Sequence, residues 1–167
     1  MAQDRIPVDV VGVRIELPSN SPIVLLRERA GRRHIPIWIG APEAQAIAAA
    51  LDGLEPPRPQ THDLLRLVVE TLGATVDRVD VVELKDSVYF ADLQLSRNKE
   101  TYHVSTRPSD AIALAVRAGA QVFVSEQVLA DAGIELSEET AEEEDEIERF
   151  REMLEDVTIE DFMKGEE

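Results

Sequence analysis

From Val8 to Leu17 the apolar residues Val11, Val13, Ile15 and Leu17 are separated by Gly12, Arg14 and Glu16, so hydrophobicity repeats every second residue. That period belongs to a strand with one buried face and cannot be met by a helix. Pro18-Ser19-Asn20-Ser21-Pro22 interrupts it, and two further apolar runs follow, Ile23 to Leu26 and Ile35 to Ile39, joined through the polar, glycine-containing stretch Arg27 to Arg33. The first forty residues are therefore confined to a three-stranded meander. At Gly40 the period changes. Pro42 suits a first helical turn, where its missing N–H has no partner to lose, and alanine-rich Ala44 to Leu51 propagates a helix as far as Asp52-Gly53.

The remaining segments alternate in the same way. A stiff linker, Pro56-Pro57-Arg58-Pro59, precedes a helix for which Thr61 is the expected cap, with Leu64, Leu65, Val68 and Leu72 on one broad face and Gly73 at its end. Strands are expected from Val76, over Val79 to Leu84, Val88 to Leu95 and Thr101 to Ser105, with Tyr102 and Val104 on one face and His103 on the other. Ser109 is the expected cap of a buried helix, Asp110 to Ala118, followed by the strand Val122 to Val124 and a short helix, Glu126 to Ala132. The expected fold is α+β, a mixed and largely antiparallel sheet with helices packed against it, over residues 1–134.

Residues 135–167 form a second, acidic segment. They hold 16 of the chain's 34 acidic residues and 3 of its 17 basic ones, leaving 18 acids and 14 bases on residues 1–134. Thr140 and Glu143 have capping-box spacing and Ile147, Phe150, Leu154 and Val157 recur at helical intervals, so an acidic amphipathic helix is expected there; a solvated tail with partial helicity is the plainer alternative. The chain has no cysteine, which excludes disulfides and thiolate metal sites. No apolar run approaches the roughly 18 residues of a membrane span, and Met1 to Arg5 leads into a strand pattern instead of an apolar signal core, so a cytoplasmic location is expected. Phosphate-binding GxxxxGK[ST], dinucleotide-binding GxGxxG and nucleophile-elbow GxSxG patterns are all missing from the sequence.

Three blocks stand out together: Ile35-Pro36-Ile37-Trp38-Ile39-Gly40 with Glu43-Ala44, Pro57-Arg58-Pro59-Gln60-Thr61-His62-Asp63-Leu64-Leu65, and Arg107-Pro108-Ser109-Asp110-Ala111-Ile112-Ala113-Leu114-Ala115. In order and spacing they resemble the bifunctional nuclease (BFN) domain family over about residues 8–134. The resemblance implies a compact α+β domain, self-association as a homodimer or larger homo-oligomer, and cleavage of RNA, DNA or both. Plant members are described with a further UVR motif after the domain; the acidic segment here is similar to that of bacterial short forms.

Phosphodiester hydrolysis needs an activated nucleophile, charge stabilisation on the phosphoryl oxygens and a proton for the leaving group. Under the resemblance, Glu43, Asp63 and Asp110 are expected to hold a divalent ion, Mg²⁺ or Mn²⁺, because each falls in the first turn of a predicted helix. An acid in that position also complements the helix dipole by about 0.3–1 kcal/mol without any catalytic task. His62 is the expected proton carrier, imidazole being suited to proton transfer at neutral pH. Its alternative role is an exposed residue at a helix start.

Arg107 is the expected catalytic cation, or the partner of Asp110 in a buried ion pair that fixes how the helix enters the core. Arg58 and the hairpin cluster Arg27, Arg29, Arg32 and Arg33 are the expected substrate-binding cations, the cluster equally readable as solvated hairpin charge. The three histidines show no HxH or HExxH spacing, so zinc is not expected, and His34 and His103 are expected as polar strand residues. Trp38, set between Ile37 and Ile39, is expected in the core, a base-stacking platform being the alternative. A non-enzymatic protein, whose acidic segment engages a basic partner surface, is the competing expectation to a nuclease.

Overall fold

The computed structural model describes residues 4–135. The expected acidic helix lies outside these residues, as does the second segment beyond Glu135. Within them a single eight-stranded sheet carries four helices, in the order β1 (Arg5–Glu16), β2 (Ser21–Glu28), β3 (Arg33–Trp38), α1 (Ala41–Leu51), α2 (Thr61–Thr71), β4 (Thr75–Lys85), β5 (Val88–Arg97), β6 (Glu100–Thr106), α3 (Pro108–Ala118), β7 (Gln121–Ser125), α4 (Glu126–Ala132) and β8 (Ile134–Glu135). The fold is α+β, as expected. No helix of the described residues is long and apolar enough to cross a membrane.

Two antiparallel meanders are joined through β7. The sheet order is β6-β5-β4-β7-β1-β2-β3-β8, and β4 runs parallel to its neighbour β7, the strand reached through α3. Tight turns set the second meander. Asp86 and Ser87, and again Asn98 and Lys99, have positive φ, the conformation of two-residue hairpin turns that match the twist of the flanking strands. The sheet also curls. The Tyr89 hydroxyl of β5 donates to the Pro36 carbonyl of β3 at 3.4 Å although four strands separate β5 from β3, and α4 packs against both β3 and β4.

α3 is the central helix. It packs on α1 and α2 and on β4, β5 and β7, and Ile112, Ala113, Leu114 and Ala115 are fully buried. Burying a side chain the size of Ile112 or Leu114 contributes about 1.5–3 kcal/mol, so displacing this helix from the core is costly. α1 packs on it and buries Ala44, Ala46 and Ile47, the last fully. α2 differs. Leu64, Leu65, Val68 and Leu72, the broad apolar face seen in the sequence, are exposed, and the helix buries Val69.

Three local expectations need correction. Thr61 is the first residue of α2 and Gln60 its cap, because the Asp63 carboxylate accepts the Gln60 N–H at 2.9 Å and closes the first turn one residue earlier. Ser109 lies buried inside α3, which begins at Pro108 with Arg107 as its cap, proline being preorganised for the first helical position. Trp38 is not in the core. Ile35 and Ile37 point inward, so strand alternation turns Trp38 outward, where it is 53% exposed.

Candidate functional site

The packing of α1 and α2 on α3 brings three helix starts together. Across them runs a chain of charged contacts: His62 Nε2 lies 3.0 Å from Asp110 Oδ1, Arg107 Nε donates to Asp110 Oδ2 at 2.7 Å, and Arg107 Nη2 donates to Glu43 Oε1 at 2.9 Å. Each partner is fixed by its backbone. Arg107 caps α3, Asp110 stands in the first turn of α3, Glu43 in that of α1, and His62 is the second residue of α2. These four side chains line a cavity of about 680 Å³ together with Gln60 and Arg117.

The charge states follow from these contacts. Burial raises the Asp110 carboxyl, but the Arg107 guanidinium and His62 outweigh it and hold the group below the usual carboxylate range. Arg107 is raised by its hydrogen bonds to Asp110 and Glu43. It is nevertheless 66% exposed at its side chain, so the pair with Asp110 forms but is not the buried one that was the alternative reading, and the guanidinium is accessible to an anion.

Gly40 has a steric role in this arrangement. A Cβ at Gly40 would collide with the Glu43 carboxylate, so the absence of a side chain there lets Glu43 fold back towards Arg107.

Asp63 belongs to a separate pair. Its Oδ1 accepts from Arg117 Nε at 2.6 Å, and Arg117 Nη1 donates to the Ala46 and Ala113 carbonyls, both at 2.9 Å. Arg117 and the Gln60 N–H hold Asp63 below the usual carboxylate range. Arg117 is 9% exposed and ties α1, α2 and α3 together behind the cavity. Arg117 is absent from the candidates drawn from the sequence, where its signal is a cation inside the otherwise apolar run Ala111 to Ala118.

The expected ion site of Glu43, Asp63 and Asp110 is therefore not assembled. Asp63 faces Arg117, while Arg107 bridges the other two, and among the described residues no group of three His, Cys, Asp or Glu is placed to hold a metal ion. The Arg107 guanidinium already neutralises the negative charge that would draw a cation between those carboxylates. The donor set does not fit a preformed divalent site.

The hairpin arginines lie elsewhere. Arg27 is paired in register with His34 and Ile23 with Trp38, so the cluster is at the opposite end of β3 from Gly40, about 15–20 Å along the strand. Arg29 Nε bonds Asp9 Oδ1 at 2.7 Å, Arg27 lies 3.9 Å from Asp9, and Arg33 bonds both Glu28 and Glu126 at 2.9 Å; Arg32 is exposed at the same turn. Arg58 is exposed in the linker next to Pro59, which does line the cavity. His103 pairs with Asp92 at 2.6 Å on the outer face of β5 and β6, and His34 Nδ1 lies 3.0 Å from the Arg32 carbonyl oxygen.

Comparison with known proteins bears on what such a site does. A family model described as a bifunctional nuclease domain matches residues 24–137, which include Gly40, Glu43, His62, Asp63, Arg107, Asp110 and Arg117. An uncharacterized protein of Mycobacterium tuberculosis is 47% identical over 161 residues, covering 93% of this chain and 96% of that one. Bifunctional nuclease 1 of Oryza sativa subsp. japonica is 26% identical over 137 residues, 80% of this chain and 41% of the rice protein. Bifunctional nuclease 1 of Arabidopsis thaliana is 29% identical over 128 residues, 73% and 39% of the two chains. The matched region thus spans about two fifths of each plant protein's length.

Proposed function

The chain belongs to the bifunctional nuclease domain family, and from that premise we propose that it is a nuclease cleaving phosphodiester bonds of RNA or DNA at the cluster of His62, Asp110, Arg107 and Glu43. The observation that carries this reading is the contact of His62 Nε2 with Asp110 Oδ1 at 3.0 Å, beside an exposed guanidinium. A carboxylate that accepts Nε2–H orients the imidazole and leaves the lone pair on Nδ1, the nitrogen able to take a proton.

In the proposed reaction the scissile phosphate approaches Arg107, whose guanidinium offers a fork of donors to two phosphoryl oxygens. The N-terminus of α3 adds a favourable partial charge in the same direction. His62 accepts the proton of the attacking water as its oxygen bonds to phosphorus. The bond to the leaving sugar oxygen breaks, and that oxygen is protonated by the imidazolium or by solvent. Glu43 keeps Arg107 oriented.

This arrangement supports positioning and proton transfer by the protein's own side chains. The Mg²⁺ or Mn²⁺ expected from the sequence would need Arg107 to leave both carboxylates, so no step is assigned to an ion. The deciding experiment compares purified full-length protein with its folded Asp110→Asn variant on end-labelled RNA and DNA. Cleavage by the first and its loss in the second is the expected result; equal cleavage by both overturns the assignment of the site.

A further inference from the structure

Arg107 is shared by two cavities. One contains His62, Asp110 and Glu43; the other, of about 450 Å³, is lined by Trp38, Gly40, Tyr89, Arg107 and Ser109 among others. The second lies within the roughly 300–1,000 Å³ range of small-molecule sites. Its most prominent feature is the indole of Trp38, which stands more than half exposed at the end of β3. An exposed tryptophan normally costs the favourable burial of a large apolar surface, so its outward position in a strand otherwise alternating correctly is informative.

The indole is also held in place. Its Nε1–H donates to Glu16 Oε2 at 2.8 Å, and the same carboxylate oxygen accepts from Ser19 Oγ at 2.9 Å. The hydrogen bonds from Trp38 and Ser19 keep Glu16 below the usual carboxylate range, so it is anionic at neutral pH. The surroundings are thereby polarised, with a fixed carboxylate bonded to the indole N–H and a guanidinium in the cavity lining. A phosphate is repelled from the first and attracted to the second, whereas an uncharged planar ring is accepted by the indole face.

We propose that Trp38 is a stacking shelf for one unpaired nucleobase next to the phosphate held by Arg107, which makes single-stranded nucleic acid the substrate class. This deepens the nuclease reading and rests on it for the identity of the phosphate. A base in a duplex has both faces covered by its neighbours and cannot lie on the indole without being unstacked. A base in a loop, bulge or free strand can. Stacking on an aromatic is sequence-tolerant, since every base presents a π face.

Trp38 is the only tryptophan in the chain, so intrinsic emission reports this cavity alone. The experiment titrates the full-length His62→Ala variant, which leaves the strand intact, with a short oligothymidylate, the same strand in duplex form, and an abasic strand of equal length and charge. Saturable quenching by the single strand, and little by the other two, is expected. With a dye-labelled strand, Trp38→Ala weakens binding by about 10- to 100-fold and Trp38→Phe restores most of it.

Equal quenching by duplex or abasic strand overturns the shelf, as does unchanged binding by Trp38→Ala or no binding of any strand. The nuclease reading is scored separately by cleavage with the wild-type chain. Quenching without cleavage sinks that reading and leaves a single-strand binding site, whereas cleavage without quenching does the reverse.

Discussion

His62 and Asp110 are 48 residues apart in sequence and stand 3.0 Å from each other, Nε2 to Oδ1, because α2 and α3 pack with their N-terminal ends side by side. Replacing His62 by Ala removes the proposed proton acceptor, a side chain that is 12% exposed. Cleavage is expected to fall by about 10²- to 10⁴-fold, the usual contribution of a positioned acid or base. Initial rates on a labelled single strand, with circular dichroism to confirm the fold, measure it. A loss below twofold assigns proton transfer to another group.

Cleavage is expected to persist after exhaustive chelation and to change little when Mg²⁺ or Mn²⁺ is restored. The reason is local: Arg107 holds Asp110 and Glu43 with bonds of 2.7 and 2.9 Å, and a cation entering there would have to displace it. Activity abolished by chelator and recovered with either ion would show that the arginine moves aside and that the carboxylates act as ligands.

Acid should weaken the domain through Asp63 and Asp110. Both have folded-state pKa values below the ordinary 3.8, Asp63 because of Arg117 and the Gln60 N–H, Asp110 because Arg107 and His62 outweigh the effect of burial. A depressed carboxylate stabilises the fold fully above its unfolded-state value, and the contribution disappears as pH falls through the folded-state value. Urea unfolding at pH 6 and near pH 3 should therefore show a drop in stability. In Asp63→Asn, which costs about 1–3 kcal/mol at neutral pH, that drop should be smaller. An identical acid dependence in the variant would remove Asp63 from the account.

Gly40→Ala tests the electrostatics of the site with one methyl group. The backbone at Gly40, φ −74° and ψ 156°, is open to any residue, so the substitution introduces no backbone strain; what it does is push against the Glu43 carboxylate. Cleavage is expected to fall several-fold with an unchanged melting temperature. Undiminished activity would mean that Glu43 need not brace Arg107.

The strand and helix sequence was readable because hydrophobic period and glycine placement are local signals; α1 ends before Gly53 and α3 before Gly119, both with positive φ, as their positions suggested. Helix starts alone lead one to expect Glu43, Asp63 and Asp110 at one site; that Glu43 and Asp110 instead meet through Arg107, with His62 beside them, depends on the α3 packing that no local pattern encodes. Asp63 illustrates the limit. It occupies the same kind of helical position as Glu43 and Asp110, yet Arg117, two turns along a buried helix, draws it away. Trp38 departs from expectation for a different reason: its hydrophobicity alone favours the core, whereas the parity of Ile35 and Ile37 determines which way position 38 faces.

Arg117 gives the domain a common anchor: one guanidinium grips the Asp63 carboxylate and two main-chain oxygens, those of Ala46 and Ala113. Sliding any of the three helices by even a fraction of a turn would stretch a charge-assisted bond that water reaches poorly. The groups lining the cavity in front can thus keep their spacing, because registry is enforced from the rear.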